Sequence, residues 1–280
     1  MRFDGPGSDN FEDRTGQSGG GMLNLGGGLG MILSLVASRF GIVGVLVLLL
    51  GYCVLTQLGG GGMLGGGGPT QEGSSKLDPN TGKFMRQVLG STEQVWGEIF
   101  QQAGSQYQPT RLVAYTNYNQ SGCGAAQAAM GPFYCPTDKQ IYIDPAFFNE
   151  LSRRFGAPGD FAQAYVIAHE VGHHIQGLEG TLDKAQAAQA RTSTASGNAI
   201  QVGVELQADC YAGVWAARSG ALEQGDIEEG MRAAEAIGDD MLTKGQVSPD
   251  NFTHGTSAQR MEALRRGLST GNPASCNYAR

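Results

Sequence analysis

The sequence predicts an α+β domain dominated by helices, with a small β element, preceded by one transmembrane helix. Three observations carry that reading. An uncharged apolar run lies between glycine-rich stretches near the start. Two short stretches of strand-like composition follow. Helical periodicity then runs through most of the second half.

The chain has 280 residues, 45 of them glycine, concentrated before residue 70 in runs such as Gly26–Gly28, Gly59–Gly62 and Gly65–Gly68, so a low-complexity leader precedes a globular remainder. The formal net charge of −7 comes with no basic cluster, which leaves a nucleic-acid partner without electrostatic support. From Gly41 the chain is apolar and uncharged to Leu55, with the apolar character continuing to Leu58, close to the roughly 20 residues a bilayer span requires. A cleaved signal peptide fits less well, because the run begins after about forty residues and signal peptides begin earlier. A buried core helix has nothing obvious to pack on between glycine linkers. Arg2, Arg14 and Arg39 precede the run and Lys76 is the first positive residue after it, so the positive-inside rule puts the N-terminus in the cytoplasm. The expected organisation is a disordered leader over 1–38, an anchor over 39–58, a glycine-rich linker over 59–77 and the main domain over 78–280. That domain is expected on the periplasmic or extracellular side of a single-pass membrane protein.

Cys123, Cys135, Cys210 and Cys276 all lie beyond the apolar run, an even number compatible with two disulfides. Of three pairings, Cys123–Cys135 with Cys210–Cys276 is preferred, because the first pair is close in sequence and flanks a glycine-containing loop. Free thiols are the alternative. None has metal-binding C-x-x-C spacing.

Within the domain, Phe84, Val88, Val95 and Ile99 form an apolar stripe behind Asp78–Pro79, predicting a helix over 78–104. Arg111–Thr116 and Gln140–Asp144 read as strands, with Ser121–Pro136 a looped hairpin arm between them. Helices are then predicted over 145–155, 158–177, 197–219, 226–237 and 257–267, the last with Ser257 as its N-cap.

The chemistry concentrates in the second of these helices, where His169-Glu170-Val-Gly-His173 reads H-E-x-x-H. Spacing of four sets both imidazoles on one helix face, as zinc ligation requires, and Glu170 can reach a metal-bound water without ligating. The chain has four histidines and three fall here, on a strongly apolar helix where unpaired imidazoles would be costly. His174 is turned about 100° from His173 and reads as a packing or hydrogen-bonding residue. On the next helix Glu205 and Asp209 share a face. Glu205 is expected as third ligand, and Asp209 as acceptor for the free N–H of a ligand histidine, His169 being the expected partner. A solvated acidic pair is the alternative. Three protein ligands leave a fourth position for water, which favours hydrolysis: Glu170 takes the proton and later returns it to the leaving amine. His254, before the last helix, is a candidate for oxyanion stabilisation or a surface residue, and Arg260 for a structural ion pair.

Together the H-E-V-G-H-H and E-L-Q-A-D-C-Y-A-G stretches, Cys135–Asp144 and His254-Gly-Thr-Ser-Ala-Gln-Arg260 resemble the YpfJ-like neutral zinc metallopeptidase family, of zincin-like fold, over about Lys76–Ala279. The resemblance implies one Zn²⁺ per chain, a peptide or protein substrate, and a short edge strand near Ile141–Ile143 that aligns the peptide. The competing expectations are a non-catalytic, zinc-stabilised envelope protein that binds peptide or a partner, and an amidase acting on cell-wall peptide.

Overall fold

A computed structural model describes residues 1–5, 7–17, 74–127 and 131–279. Met1–Gly16 and Ser75–Arg280 form one compact unit, and residues 17–74 fall in a separate one. A strand β1 (Phe11–Asp13) comes first, then helix α1 (Pro79–Gln102), capped by Asp78, whose carboxylate accepts from the Thr81 amide. Strands β2 (Arg111–Ala114), β3 (Tyr118–Ser121), β4 (Gly124–Gln127), β5 (Phe133–Cys135) and β6 (Gln140–Ile143) follow. Then the chain is helical: α2 (Ala146–Arg153), α3 (Asp160–Leu178), α4 (Thr181–Gln189), α5 (Thr194–Ser219), α6 (Asp226–Ala236), α7 (Asp239–Leu242) and α8 (Ser257–Thr270). The helix-rich α+β class is as expected from the sequence.

The four-stranded sheet has the order β1-β2-β6-β5, with β1, β2 and β6 parallel and β5 antiparallel, while β3 and β4 form a separate hairpin. The strand that the sequence offered as an edge, Ile141–Ile143, is an inner one, hydrogen-bonded to β2 on one side and β5 on the other. Its three apolar residues are buried because both faces of an inner strand are covered. The outer strand on that side is Phe133–Cys135.

The sheet and α1 pack around α3, whose residues from Phe161 to Ile175 are almost all buried, and α5 lies across α3. Two close approaches set that geometry. A Cβ added to Gly172 of α3 would lie 3.0 Å from both Cα and the carbonyl oxygen of Ala208 on α5, so only glycine lets the helices come this near. Where α5 meets α8, Gly213 faces Gly267, and a side chain on either would collide with the other helix's backbone. Both pairings expected from sequence are formed: Cys123–Cys135 ties the β3–β4 hairpin to β5, and Cys210–Cys276 ties α5 to the C-terminal segment. The last helix begins at Ser257 as expected but carries a different cap. Thr256, not Ser257, is its N-cap, in a capping box with Gln259, while the Ser257 hydroxyl donates to the Glu235 carbonyl.

The expected membrane anchor requires correction. Residues 39–58 lie outside the described residues, and among the described residues no helix is long and apolar enough to cross a membrane. The sheet itself conflicts with the single-pass arrangement. Phe11, Glu12 and Asp13, expected in a disordered cytoplasmic leader, pair with Leu112, Val113 and Ala114 of the main domain. Phe11 is buried in the core with the Arg86 guanidinium 4.3 Å from its ring centroid. The Lys76 amide donates to Thr15 Oγ1 at 3.0 Å. One crossing between residues 17 and 74 would place two hydrogen-bonded strands on opposite faces of a bilayer, where they could not pair. The described residues therefore form the α+β domain with no helix able to cross a membrane, which conflicts with the expected single-pass localisation.

Candidate metal centre

Helix α3 presents His169 and His173 one turn apart, their ring centroids separated by 4.7 Å. Because Gly172 lets α5 approach, Glu205 reaches both: its Oε2 lies 3.2 Å from His169 Nε2 and 3.7 Å from His173 Nε2. The three ligand atoms lie within 4.8 Å of one another. A tetrahedral zinc with bonds of about 2.0–2.1 Å spaces its ligands by about 3.3 Å, so two nitrogens and a carboxylate oxygen at these separations suit that ion. The second Glu205 oxygen accepts from Gln201 Nε2 at 3.0 Å, which fixes the carboxylate's rotation.

One turn along α5, Asp209 stands behind His169. Its Oδ1 accepts from His169 Nδ1 at 2.8 Å, from the Tyr165 hydroxyl at 2.5 Å and from Arg260 Nη2 at 2.8 Å, and its Oδ2 accepts from Arg260 Nε at 2.8 Å. Both Asp209 and Arg260 are buried, so each charge is neutralised and hydrogen-bonded by the other. Burial alone would raise the Asp209 pKa, but the Arg260 charge and His169 bring it down to about 2. For His169, burial pulls the imidazole pKa down and the Asp209 charge overrides it, raising it to about 10. Burial would likewise raise Glu205, and the two histidines more than offset this, holding it well below the usual carboxylate range.

Glu170 lies beside the cluster, its Oε2 buried with no hydrogen-bond partner. Such an atom is costly unless something belonging to the site meets it, and a water shared with a metal would do so. Desolvation raises its pKa above the ordinary glutamate range, opposed in part by His173 and His169. These residues thus fit zinc on two counts: the donor set and the partnerless Glu170 oxygen.

His254 is half exposed and lines the same cleft, of about 910 Å³, as His169, Glu170 and His173. Its Nδ1 lies 3.1 Å from Asp239 Oδ1, while Asp239 Oδ2 accepts from the backbone amides of Thr253, His254 and Gly255 at 2.8, 2.7 and 3.1 Å. Phe133 and Tyr134 of β5 line that cleft too. His174 points elsewhere, its Nε2 2.7 Å from the Gln108 carbonyl and its Nδ1 3.3 Å from the Tyr134 hydroxyl, outside the metal cluster.

Sequence reasoning missed four residues that hold the site. Tyr165 lies on α3 and Asp239 at the start of α7, and neither is among the residues expected at the site. Gln176, three residues after His173, has Oε1 2.9 Å from His173 Nδ1, and Gln207 hydrogen-bonds Gln176. The available signal was an uncharged amide on an otherwise buried stretch of helix.

A family profile described as "Putative neutral zinc metallopeptidase" matches residues 1–279. The chain is 44% identical over 280 residues to the uncharacterised protein YpfJ of Escherichia coli (strain K12), covering 96% of this chain and 95% of that one. It is 42% identical over 174 residues to the uncharacterised protein Mb2605 of Mycobacterium bovis, covering 56% of this chain and 58% of that one. No solved structure matches. The profile match extends through β1 and spans every residue of the His169, His173 and Glu205 cluster, and the chain belongs to this neutral zinc metallopeptidase family.

Proposed function

We propose that this chain is a zinc-dependent peptidase that hydrolyses peptide bonds, with His169, His173 and Glu205 holding one Zn²⁺ and Glu170 as general base. The observation that carries the reading is the convergence of three ligand atoms beside the buried Glu170, whose Oε2 has no hydrogen-bond partner, in an open cleft. Zinc at such a site supplies Lewis acidity toward the scissile carbonyl and lowers the pKa of water to about 7. Glu170, with its raised affinity for protons, takes one from the attacking water and delivers it to the leaving amine. Asp209 accepts the Nδ1 hydrogen of His169, which leaves Nε2 free to ligate. His254, whose Nδ1 donates to Asp239, can as an imidazolium, with a hydrogen on each nitrogen, also donate from Nε2 to the developing oxyanion. An extended peptide gains main-chain hydrogen bonds by adding to the outer strand β5, which borders the cleft.

The test is zinc content by elemental analysis together with cleavage of an unstructured protein, for the full chain and its Glu170→Gln variant. The full chain is required because β1 belongs to the same compact unit as the metal residues. One zinc in each protein and a loss of about 10²–10⁴ in kcat for the variant support the assignment. Zinc in both with no cleavage by either favours a zinc-stabilised binding protein. No zinc in the parent removes the ligand assignment.

A further inference from the structure

We infer that Gln176 and Gln207 are positioning residues for the metal centre, a pair of buried amides that fixes the tautomer and orientation of His173. The inference rests on the reading of His169, His173 and Glu205 as metal ligands.

Hydrogen-bond polarity carries the argument. An amide side chain can be turned either way, and its orientation follows from partners that have no choice. Gln176 has one end 2.7 Å from the backbone carbonyl of Val204, and a carbonyl only accepts, so that end is the NH₂. The same nitrogen donates to Gln207 Oε1 at 2.9 Å, which uses its second hydrogen. Gln207 is oriented independently, because its Nε2 lies 2.9 Å from the carbonyl of Cys276. Two backbone carbonyls, Val204 on one branch and Cys276 at the far end, therefore dictate the direction of the whole chain. Gln176 Oε1 is left facing His173 Nδ1 at 2.9 Å. An amide oxygen accepts only, so Nδ1 carries the hydrogen and Nε2 keeps its lone pair, directed with His169 Nε2 at the same Glu205 oxygen.

The arrangement is more than helix packing. Gln176 is fully buried and Gln207 nearly so, in a stretch where leucine would fill the volume without the cost of desolvating two amides. That cost is offset only because each NH₂ is directed to fixed acceptors. The chain's last acceptor is itself tethered: Cys276 is bonded to Cys210, three residues from Gln207 on α5. The neutral support of His173 thus runs from the metal face of α3 through two amides to a covalent crosslink.

The experiment uses the full-length protein and reads zinc affinity by competition with a chromophoric chelator, and the visible absorption of the Co²⁺-substituted form. Gln176→Leu, which removes the acceptor, is expected to bind zinc about 10–100-fold more weakly and to alter the cobalt bands. Gln176→Glu restores an acceptor to Nδ1 but sets a second oxygen against Val204 O and Gln207 Oε1, so it is expected to recover only part of the affinity. Gln207→Leu, which leaves His173 and Gln176 in place, is expected to lose about 3–10-fold, a smaller share of the same effect. If Gln176→Leu does not fold, as judged by circular dichroism, Gln207→Leu decides the matter. Variants that bind zinc within twofold of the parent with unchanged cobalt bands overturn the positioning role. A parent that binds no zinc overturns the ligand assignment beneath it.

Discussion

His169 and His173 leave the same helix one turn apart and meet the same Glu205 oxygen, yet what stands behind them differs in kind. Behind His169 is a carboxylate, Asp209, itself gripped by the Arg260 guanidinium and the Tyr165 hydroxyl. Behind His173 is an uncharged amide, Gln176, gripped by a second amide and a backbone carbonyl. A charged acceptor makes an imidazole more electron-rich, but it requires a second buried charge to be tolerable. A neutral acceptor fixes direction with little electrostatic cost and demands only that every hydrogen be placed. One centre uses both solutions. The histidine next to the buried ion pair is held electrostatically, and its neighbour by geometry alone.

The most severe way to break this contrast is to remove one charge from the first support. Asp209→Ala leaves Arg260 buried without its partner, and urea denaturation is expected to show a loss of about 3–5 kcal/mol. Replacing both, as Asp209→Leu with Arg260→Met, should cost less than either single change, because no unpaired charge remains. A double variant that loses the sum of the singles would mean the pair is not the coupled unit described here. On the neutral side, Gln176→Leu is expected to lose only about 1–3 kcal/mol in the same denaturation, since Val204 O and Gln207 Oε1 lose a donor but no charge is stranded. Equal losses on the two sides would erase the distinction. The finest measurement is a cycle between Asp209→Asn and Gln176→Leu in metal-free protein. Two separate supports predict additivity to within about 0.5 kcal/mol, and a larger coupling would join them into one network.

What the sequence revealed of this site follows from the range of each interaction. His169, Glu170, His173, Glu205 and Asp209 repeat at helical spacing within two helices, so their shared faces could be read locally. Gln176 and Gln207 showed only as amides on a buried stretch, and their role was not legible, because it depends on the backbone carbonyls of Val204 and Cys276, and nothing in the residue types says which carbonyl a folded amide will meet. Strand β1 was missed for a similar reason. Phe11-Glu-Asp13 has no β-branched residue, and its partner, Leu112–Ala114, lies about a hundred positions away. Helix α4 buries none of its residues and so shows no apolar stripe to betray it. The inner position of Ile141–Ile143 depended on a three-residue strand, β5, too short to register as a strand in composition.

Asp239 carries a consequence beyond its contact with His254. One carboxylate oxygen gathers three successive backbone amides, from Thr253 to Gly255, so the loop bearing this histidine is immobilised although its side chain reaches solvent. Ordering a residue's backbone costs about 1–2 kcal/mol of conformational entropy, and here that cost is met during folding. A molecule arriving in the cleft therefore meets an imidazole that has already stopped searching, and its binding enthalpy need not be consumed in arresting the loop.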